Sequence, residues 1–190
     1  MQLSYKTERF CVVTDVNSYV EDYHRADHFL PFCQECKNYG RRYGCPPFDS
    51  DPLSIIKQYD SVRIIGVKLT PDDATLPLSS ANELMAPVIL AMNQELLQEE
   101  KRLHGFACGF VGECPYCDGE PCVRQEGKPC RHPDKVRPSL EALGFDIGKT
   151  AQQLLGIDIK WSRDGHIPEY LTLVCGLFYM SHRDELTSHP

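Results

Sequence analysis

The sequence lacks an apolar run long enough to cross a membrane. Its longest apolar stretch, Leu171 to Met180, is interrupted by Thr172 and Gly176, and a spanning helix needs about 20 predominantly apolar residues. The first residues, MQLSYKTERF, also lack the apolar segment of a secretory signal peptide. These two absences predict a cytoplasmic protein that does not associate with membranes.

Positive charge is also scarce. The chain has 20 Lys and Arg residues against 27 Asp and Glu residues, which gives a formal net charge of -7. Nucleic-acid-binding domains usually concentrate basic residues on one face. We therefore expect no nucleic-acid partner, and the composition leaves the oligomeric state open.

Cysteine, by contrast, is abundant, with ten residues in a chain of 190. A chain of this length can bury enough apolar surface to fold without covalent cross-links. Disulfides are rare in the cytosol, where clustered cysteines more often bind metal or carry out redox chemistry. Cys11 and Cys175 stand alone in apolar surroundings and are expected to be small buried residues. The other eight fall in or beside two clusters: Cys33, Cys36 and Cys45, then Cys108, Cys114, Cys117, Cys122 and Cys130.

The apolar periodicity and the turn residues predict a protein of the α+β class, a mixed α/β chain. Strands are expected over residues 9–16, 61–69 and 106–112, and over 157–162 and 169–180 as a hairpin turning at 163–165. Helices are expected over residues 52–59, 82–104, 139–143 and 147–155, with Gly105 as the cap of the long helix. Together these elements predict one metal-binding domain, residues 1–190. One mixed sheet is flanked by helices, and two cysteine-rich loops, 33–48 and 108–134, project from strand ends.

The second loop has the spacing C114-P-Y-C117-x4-C122-x7-C130. Four thiolates on irregular backbone can enclose one inorganic centre, and the turn of a C-x2-C pair lets backbone N–H groups point at the sulfurs. Iron–sulfur clusters and structural zinc both use four-cysteine sets. A zinc ribbon usually has two C-x2-C pairs, so the C-x7-C half favours a cluster. Three basic residues of the loop, Arg124, Lys128 and Arg131, are expected to offset the negative charge of the thiolates.

The first loop has the spacing C33-x2-C36-x8-C45 and so offers three thiols. A site built on them either takes a fourth ligand from elsewhere in the chain or leaves one iron open to substrate or water. The candidates for that ligand are His24, His28, Cys11 and Cys108. The sequence leaves the choice among them open.

The tetrapeptide CPYC, residues 114–117, has a second interpretation, because glutaredoxins use the same four residues as a redox dithiol. There the motif follows a strand and opens a helix, which lowers the pKa of the first thiol. Here it is followed by DGEPC, a turn-forming stretch that contains a further cysteine. A dithiol oxidoreductase using Cys114 and Cys117 is therefore an alternative hypothesis.

Two segments of the chain also carry a resemblance to a known family. They are C33-x2-C36-K-N-Y-G-R-R-Y-G-C45-P-P, and C114-x2-C117 followed by C122-x7-C130-R-H-P-x3-R137-P-S-L-E-A-L-G-F-D-I. In these segments the chain resembles a family of small predicted metal-binding proteins of unknown function from anaerobic bacteria and archaea. The resemblance implies metal or iron–sulfur binding and implies no established reaction.

The leading hypothesis is a protein that carries one or two [4Fe–4S] clusters, for electron transfer or in support of a partner redox enzyme. A zinc-binding structural or adaptor protein is the first alternative, and the dithiol oxidoreductase is the second. The patterns predict no catalytic residue and do not decide whether the protein is an enzyme. The predicted metal ligands are Cys33, Cys36, Cys45, Cys114, Cys117, Cys122 and Cys130.

Overall fold

The computed structural model describes residues 3–110, 112, 114–117 and 119–182. Its strands are β1 (Tyr5–Asp15), β2 (Ser61–Pro71), β3 (Phe106–Cys108) and β4 (Leu171–Tyr179). Its α-helices are α1 (Val16–Tyr23), α2 (Ala26–Glu35), α3 (Pro52–Ile56), α4 (Ala81–Leu103) and α5 (Ile147–Leu155). Short 3-10 helices cover Leu78–Ser80, Pro115–Cys117 and Val123–Glu126. In the described part of the chain, none of the helices has the length and apolarity that a membrane span requires.

The strands form one sheet in the order β1-β2-β4-β3, in which every neighbouring pair is antiparallel. The central strand β2 is rich in β-branched residues and is buried along most of its length, as expected for a strand covered on both faces. Edge strand β1 alternates between partly buried and exposed residues from Phe10 to Asp15, and the four residues before Phe10 are all exposed. The α+β class predicted from the sequence is confirmed, with helices packed on the sheet. The predicted mixed sheet is wrong, because all its strand pairs are antiparallel, and the first cysteine loop follows helix α2 and not a strand.

Helices cover both faces of the sheet and give two main clusters of buried side chains. On one face α1 and α5 pack with the turn before α5, and the rings of Tyr19 and Phe145 stack with centroids 4.7 Å apart. On the other face α4 packs through Met92 and Leu96 against side chains such as Ile65. Because α4 lies beside β3, the chain leaves the long helix close to the start of the second cysteine loop.

Two helices formed by residues 16–35 were not predicted. The segment is largely polar, so its few apolar positions did not predict a helix. Val16, Tyr19 and Tyr23 nevertheless recur at helical intervals and are buried in α1. The side chain of Asp15 caps that helix by accepting a hydrogen bond from the backbone N–H of Ser18 at 2.9 Å. Helix α2 follows directly and, with none of its residues buried, delivers Cys33 in its last turn.

Other predicted elements are absent or shorter. Residues 139–143 form a turn and not a helix, since Ala142 N–H donates to Ser139 Oγ at 3.1 Å and the chain reverses at Gly144. Residues 157–162 form no strand, so the predicted hairpin is missing. The cap of α4 is His104 and not Gly105. The strand predicted over 106–112 is β3, which ends at Cys108, and Val111 lies outside the described residues.

Candidate metal-binding site

The structure brings the four cysteines of the second loop to one small cavity. Cys114, Cys117, Cys122 and Cys130 all line a space of about 30 Å³. Two backbone N–H groups point at sulfurs in this loop: Tyr116 donates to Cys114, and His132 donates to Cys130 Sγ at 3.4 Å. Burial raises the pKa of Cys114, the Tyr116 N–H opposes that rise, and the neighbouring thiols add to it. The thiols are therefore close enough to share one electrostatic environment.

The three cysteines of the first loop line a second, larger cavity of about 380 Å³. Cys36 caps α2 and donates its backbone N–H to the carbonyl of Cys33 at 3.0 Å. Cys45 follows a turn in which its N–H bonds the carbonyl of Arg42 at 3.1 Å. Burial raises the pKa of Cys33 and Cys45, and in both cases the nearby Cys36 raises it further.

Lining a common cavity does not by itself place the cysteines in the geometry that a bound metal ion requires. Within residues 3–110, 112, 114–117 and 119–182, no three side chains of His, Cys, Asp or Glu are arranged so that they would hold a metal ion as they stand. The structure thus collects the seven predicted cysteines around two spaces, and their role as ligands stays a prediction.

None of the four fourth-ligand candidates lines the cavity of the first loop. His24 Nε2 lies 3.0 Å from the Leu143 carbonyl oxygen and forms a hydrogen bond with it. The ring of His28 packs on Phe29 and Phe32. Cys108 is fully buried in the core. Cys11, predicted to be buried, is exposed because it lies on edge strand β1, whereas Cys175 on the inner strand β4 is buried as predicted.

Several residues that sequence reasoning did not connect with the first loop line its cavity, among them Cys114 and Glu141. Cys114 borders both cavities, so it lies between the two groups of thiols. Glu141 lies in the turn after the second loop. The only feature of the sequence that pointed to Glu141 was its position in the segment that carries the family resemblance.

The two cysteine loops are joined by Arg124. Its guanidinium donates to the carbonyls of Arg42, Cys45, at 2.6 Å, and Pro47, and its Cζ lies 5.7 Å from the centre of the Tyr43 ring. Tyr43 in turn donates its hydroxyl to the carbonyl of Lys128. A planar guanidinium with several donors suits this multiple contact better than an ammonium would.

The three basic residues expected to offset thiolate charge bind oxygen atoms. Arg124 bonds the carbonyls of the first loop, Lys128 pairs with Glu126 at 2.6 Å, and Arg131 donates to the Pro121 carbonyl at 3.1 Å. Arg124 also opposes the burial that raises the pKa of Cys45. Its charge therefore acts on a thiol of the first loop, although the residue belongs to the second.

A largely buried ion pair holds the end of the second loop against α4. Arg137 donates to both carboxylate oxygens of Glu100, with Nε 2.8 Å from Oε1. Glu100 Oε1 also accepts the backbone N–H of Ala107 at 2.8 Å. The pair therefore connects α4, β3 and the segment that follows the second loop. Arg137 and several residues of α4 also line the large cavity.

A comparison with known protein families identifies the family of this chain. The profile of DUF2284, described as a predicted metal-binding protein, matches residues 19–178. The chain belongs to this family. The matched region of this DUF2284 protein includes both cysteine loops and excludes Cys11. The description supports metal binding and identifies no metal. No curated protein and no solved structure matches the chain.

Replacing Arg124 by methionine is expected to weaken metal binding by this DUF2284 protein about 10- to 100-fold, the usual effect of removing a group that positions ligands. Methionine keeps an extended side chain but donates nothing to the carbonyls that flank Cys45. The measurement is the metal retained during titration with a chelator. Arg163→Met is the control, because Arg163 is an exposed arginine that lines neither of the cavities that hold the cysteines. Equal retention by the two variants would contradict the role of Arg124.

Proposed function

We propose that this DUF2284 protein binds two [4Fe–4S] clusters and transfers electrons to or from a partner redox protein. The observation that carries the proposal is the convergence of Cys114, Cys117, Cys122 and Cys130 on one small cavity. Four cysteine thiolates are the usual ligand set of such a cluster. The second cluster is assigned to Cys33, Cys36 and Cys45, which share the larger cavity.

The residues around the thiols fit such a centre. When bound, a [4Fe–4S] cluster supplies one-electron transfer, with a potential that depends on hydrogen bonds to its sulfurs. The N–H groups of Tyr116 and His132, which bond two of the thiols, would tune that potential. Arg124 would hold the two cysteine loops in a fixed position relative to each other. The first loop offers three thiols, so one position there is left for a further ligand.

Zinc is the alternative metal, since four cysteines also form structural zinc sites. Two features weigh against a dithiol oxidoreductase. Cys114 is followed by a single 3-10 turn, Pro115–Cys117, and not by a helix whose N-terminus would stabilise a thiolate. Burial moreover raises the pKa of Cys114, and a reactive thiol requires a lowered pKa.

The experiment is anaerobic purification from iron-replete cells, followed by iron, sulfide and zinc analysis. The wild-type protein is expected to be brown and to contain about eight irons and eight sulfides per chain, given two four-iron clusters. The double variant Cys33→Ser, Cys36→Ser should retain about four of each, since it removes ligands from one centre only. Cys11→Ser is the control, because Cys11 is exposed on β1 and lines neither of the two cavities.

Two results would contradict this assignment. A colourless protein holding stoichiometric zinc and no sulfide would replace the redox proposal with the zinc alternative. Loss of all the iron in the double variant, with a normal circular dichroism spectrum, would mean that the seven cysteines serve a single centre.

A further inference from the structure

Strand β1 forms one edge of the sheet and keeps one side of its backbone free. The sheet order β1-β2-β4-β3 pairs β1 with β2 and, among the described residues, with no other strand. With 11 residues β1 is as long as the central strand β2, whereas β3 at the opposite edge has three. A long free edge offers a row of backbone N–H and C=O groups to a further strand.

Hydrogen bonds at the two ends of the β1–β2 ladder show which backbone groups face outward. At one end Asp72 N–H donates to the Ser4 carbonyl at 3.1 Å, and at the other Val16 N–H donates to the carbonyl of Asp60 at 2.9 Å. Both bonds continue the antiparallel register of the two strands. Residues of such a strand alternately bond the neighbour and face away from it. The even-numbered residues of β1 therefore bond β2, and the odd-numbered ones present their backbone groups at the free edge.

The first half of β1 is accessible on both faces of the sheet. Residues 6–9 are all exposed, although successive side chains of a strand point to opposite faces. From Phe10 onward alternate residues are partly covered, since Phe10 and Val12 pack against the cluster formed with α1 and α5. The stretch around Thr7 therefore leaves room for a second strand.

The charges on this stretch select a partner. Lys6 and Glu8 lie on the same face of β1 and form no salt bridge within the part of the chain that the structure describes. If two copies of the strand pair antiparallel about a twofold axis at Thr7, Lys6 of each copy lies opposite Glu8 of the other. An axis at Lys6, Glu8 or Arg9 would instead place like charges opposite each other, which is unfavourable. An axis at Phe10 or beyond leaves Lys6 and Glu8 without oppositely charged partners.

We propose that this chain forms a symmetric dimer in which β1 pairs antiparallel with β1 of a second copy, with the twofold axis at Thr7. The pairing covers residues 3–11 of both copies and joins two four-stranded sheets into one. At its centre lie a Thr7–Thr7 pair and two Lys6–Glu8 pairs, which are kinds of cross-strand pair that stabilise antiparallel sheets. None of these residues lines either cysteine cavity, so the proposal goes beyond the proposed function and holds for either metal.

Charged side chains on an edge strand commonly prevent pairing with other chains, and this is the competing explanation of Lys6 and Glu8. Prevention requires only charge, whereas the dimer requires opposite charges at these two positions. Reversing the charges one at a time therefore separates the two explanations.

The experiment is sedimentation equilibrium of the anaerobically purified, metal-loaded protein under reducing conditions, which exclude disulfide-linked dimers. The wild-type protein is expected to dimerise with a dissociation constant in the micromolar range, because a single strand pair buries less surface than a standard interface. Lys6→Glu and Glu8→Lys should each weaken dimerisation roughly ten-fold or more, since each turns two attractive pairs into two repulsive ones. The double variant Lys6→Glu, Glu8→Lys should dimerise as the wild type does. An equimolar mixture of the two single variants should form heterodimers.

Proline variants test the backbone pairing independently of charge. Thr7→Pro removes an N–H group that faces the free edge and leaves the bonds to β2 in place, so it should abolish dimerisation. Val13→Pro is the matched control, because Val13 is also odd-numbered and exposed but lies outside the paired residues. It should dimerise as the wild type does, and circular dichroism verifies that each variant is folded.

Several results would overturn the proposal. One is a wild-type protein that stays monomeric up to roughly 1 mM, and another is a folded Thr7→Pro protein that still dimerises. A third is a dimer that only one of the single charge variants weakens. One variant makes the chain more acidic and the other less acidic, so an effect of net charge alone would change their dimerisation in opposite directions.

Metal and sulfide analysis of the same samples separates this proposal from the proposed function. A monomer with intact clusters would contradict only the dimer. A dimer without iron would contradict only the redox function.

Discussion

Replacing Gly144 by alanine is expected to lower the free energy of unfolding by about 2–5 kcal/mol. Gly144 has φ +89°, where a residue with a Cβ is strained by about 1–2 kcal/mol. A Cβ added there would also lie 2.7 Å from both Cα and Cβ of Ala26. Relieving such a contact by shifting the backbone typically requires a further 1–3 kcal/mol or so.

Position 144 matters because it connects three parts of the molecule. The Gly144 carbonyl accepts the backbone N–H of Arg25 at 2.8 Å, at the junction of α1 and α2. The same turn carries Glu141 into the large cavity. A shift at Gly144 would therefore displace both the helix that ends at the first cysteine loop and Glu141, which lines the same cavity as its thiols.

Gly156→Ala is the matched control for Gly144→Ala. Gly156 also has a positive φ, +67°, but a Cβ there would meet nothing within 4 Å. Its substitution should lower stability by only about 1–2 kcal/mol, the backbone strain alone. The comparison is made by denaturant unfolding of the metal-loaded protein, followed by circular dichroism. Equal losses in the two variants would show that the contact with Ala26 is relaxed without energetic consequence.

The second large effect is a pH-dependent stabilisation by Glu141→Gln. In the folded protein the pKa of Glu141 is about 7, compared with its ordinary value of 4.5. Between these values the folded state binds more protons than the unfolded state, so stability falls as pH rises from about 4.5 to about 7. At 1.36 kcal/mol per pKa unit, the total loss approaches about 3 kcal/mol.

Glutamine resembles the protonated acid, so the variant should not undergo this loss. Wild type and Glu141→Gln are expected to have similar stability near pH 4.5. At pH 8 the variant should be more stable by up to about 3 kcal/mol, which is on the order of 6–12 °C in the unfolding temperature of a chain of this size. Unfolding is measured at both pH values, with Glu169→Gln as the exposed control. A difference between the two proteins that does not change with pH would contradict the raised pKa.

Local sequence patterns were sufficient to predict the strands and helices whose buried residues recur with the period of that element. Residues 61–69 are rich in β-branched residues and lie within β2, and residues 147–155 coincide with α5. Residues 82–104 repeat their apolar positions every three or four residues, and all but the last of them lie within α4. The pattern failed where tertiary contacts decide. Helix α2 has no buried residue, so its sequence has no periodic apolar pattern from which a helix could be predicted. The turn at 139–143 depends on the Ser139 side chain and on the backbone conformation of Gly144.

The sequence by itself determined the composition of the two cysteine loops. The C-x2-C spacings keep the two thiols of each pair near each other, because three residues of chain span at most about 10 Å between Cα atoms. This local constraint was enough to identify the thiols that share each cavity and to place the chain near a metal-binding family.

Only the tertiary structure decided how the loops relate to each other and what they face. Arg124 bonds the carbonyl of Cys45, and Arg137 bonds Glu100. Glu141 shares a cavity with Cys33 and with residues of α4 such as Ile89. These partners are separated by dozens of residues along the chain. Their approach results from the packing of α4 and the turn 139–145 around the sheet, and no spacing within a motif encodes it.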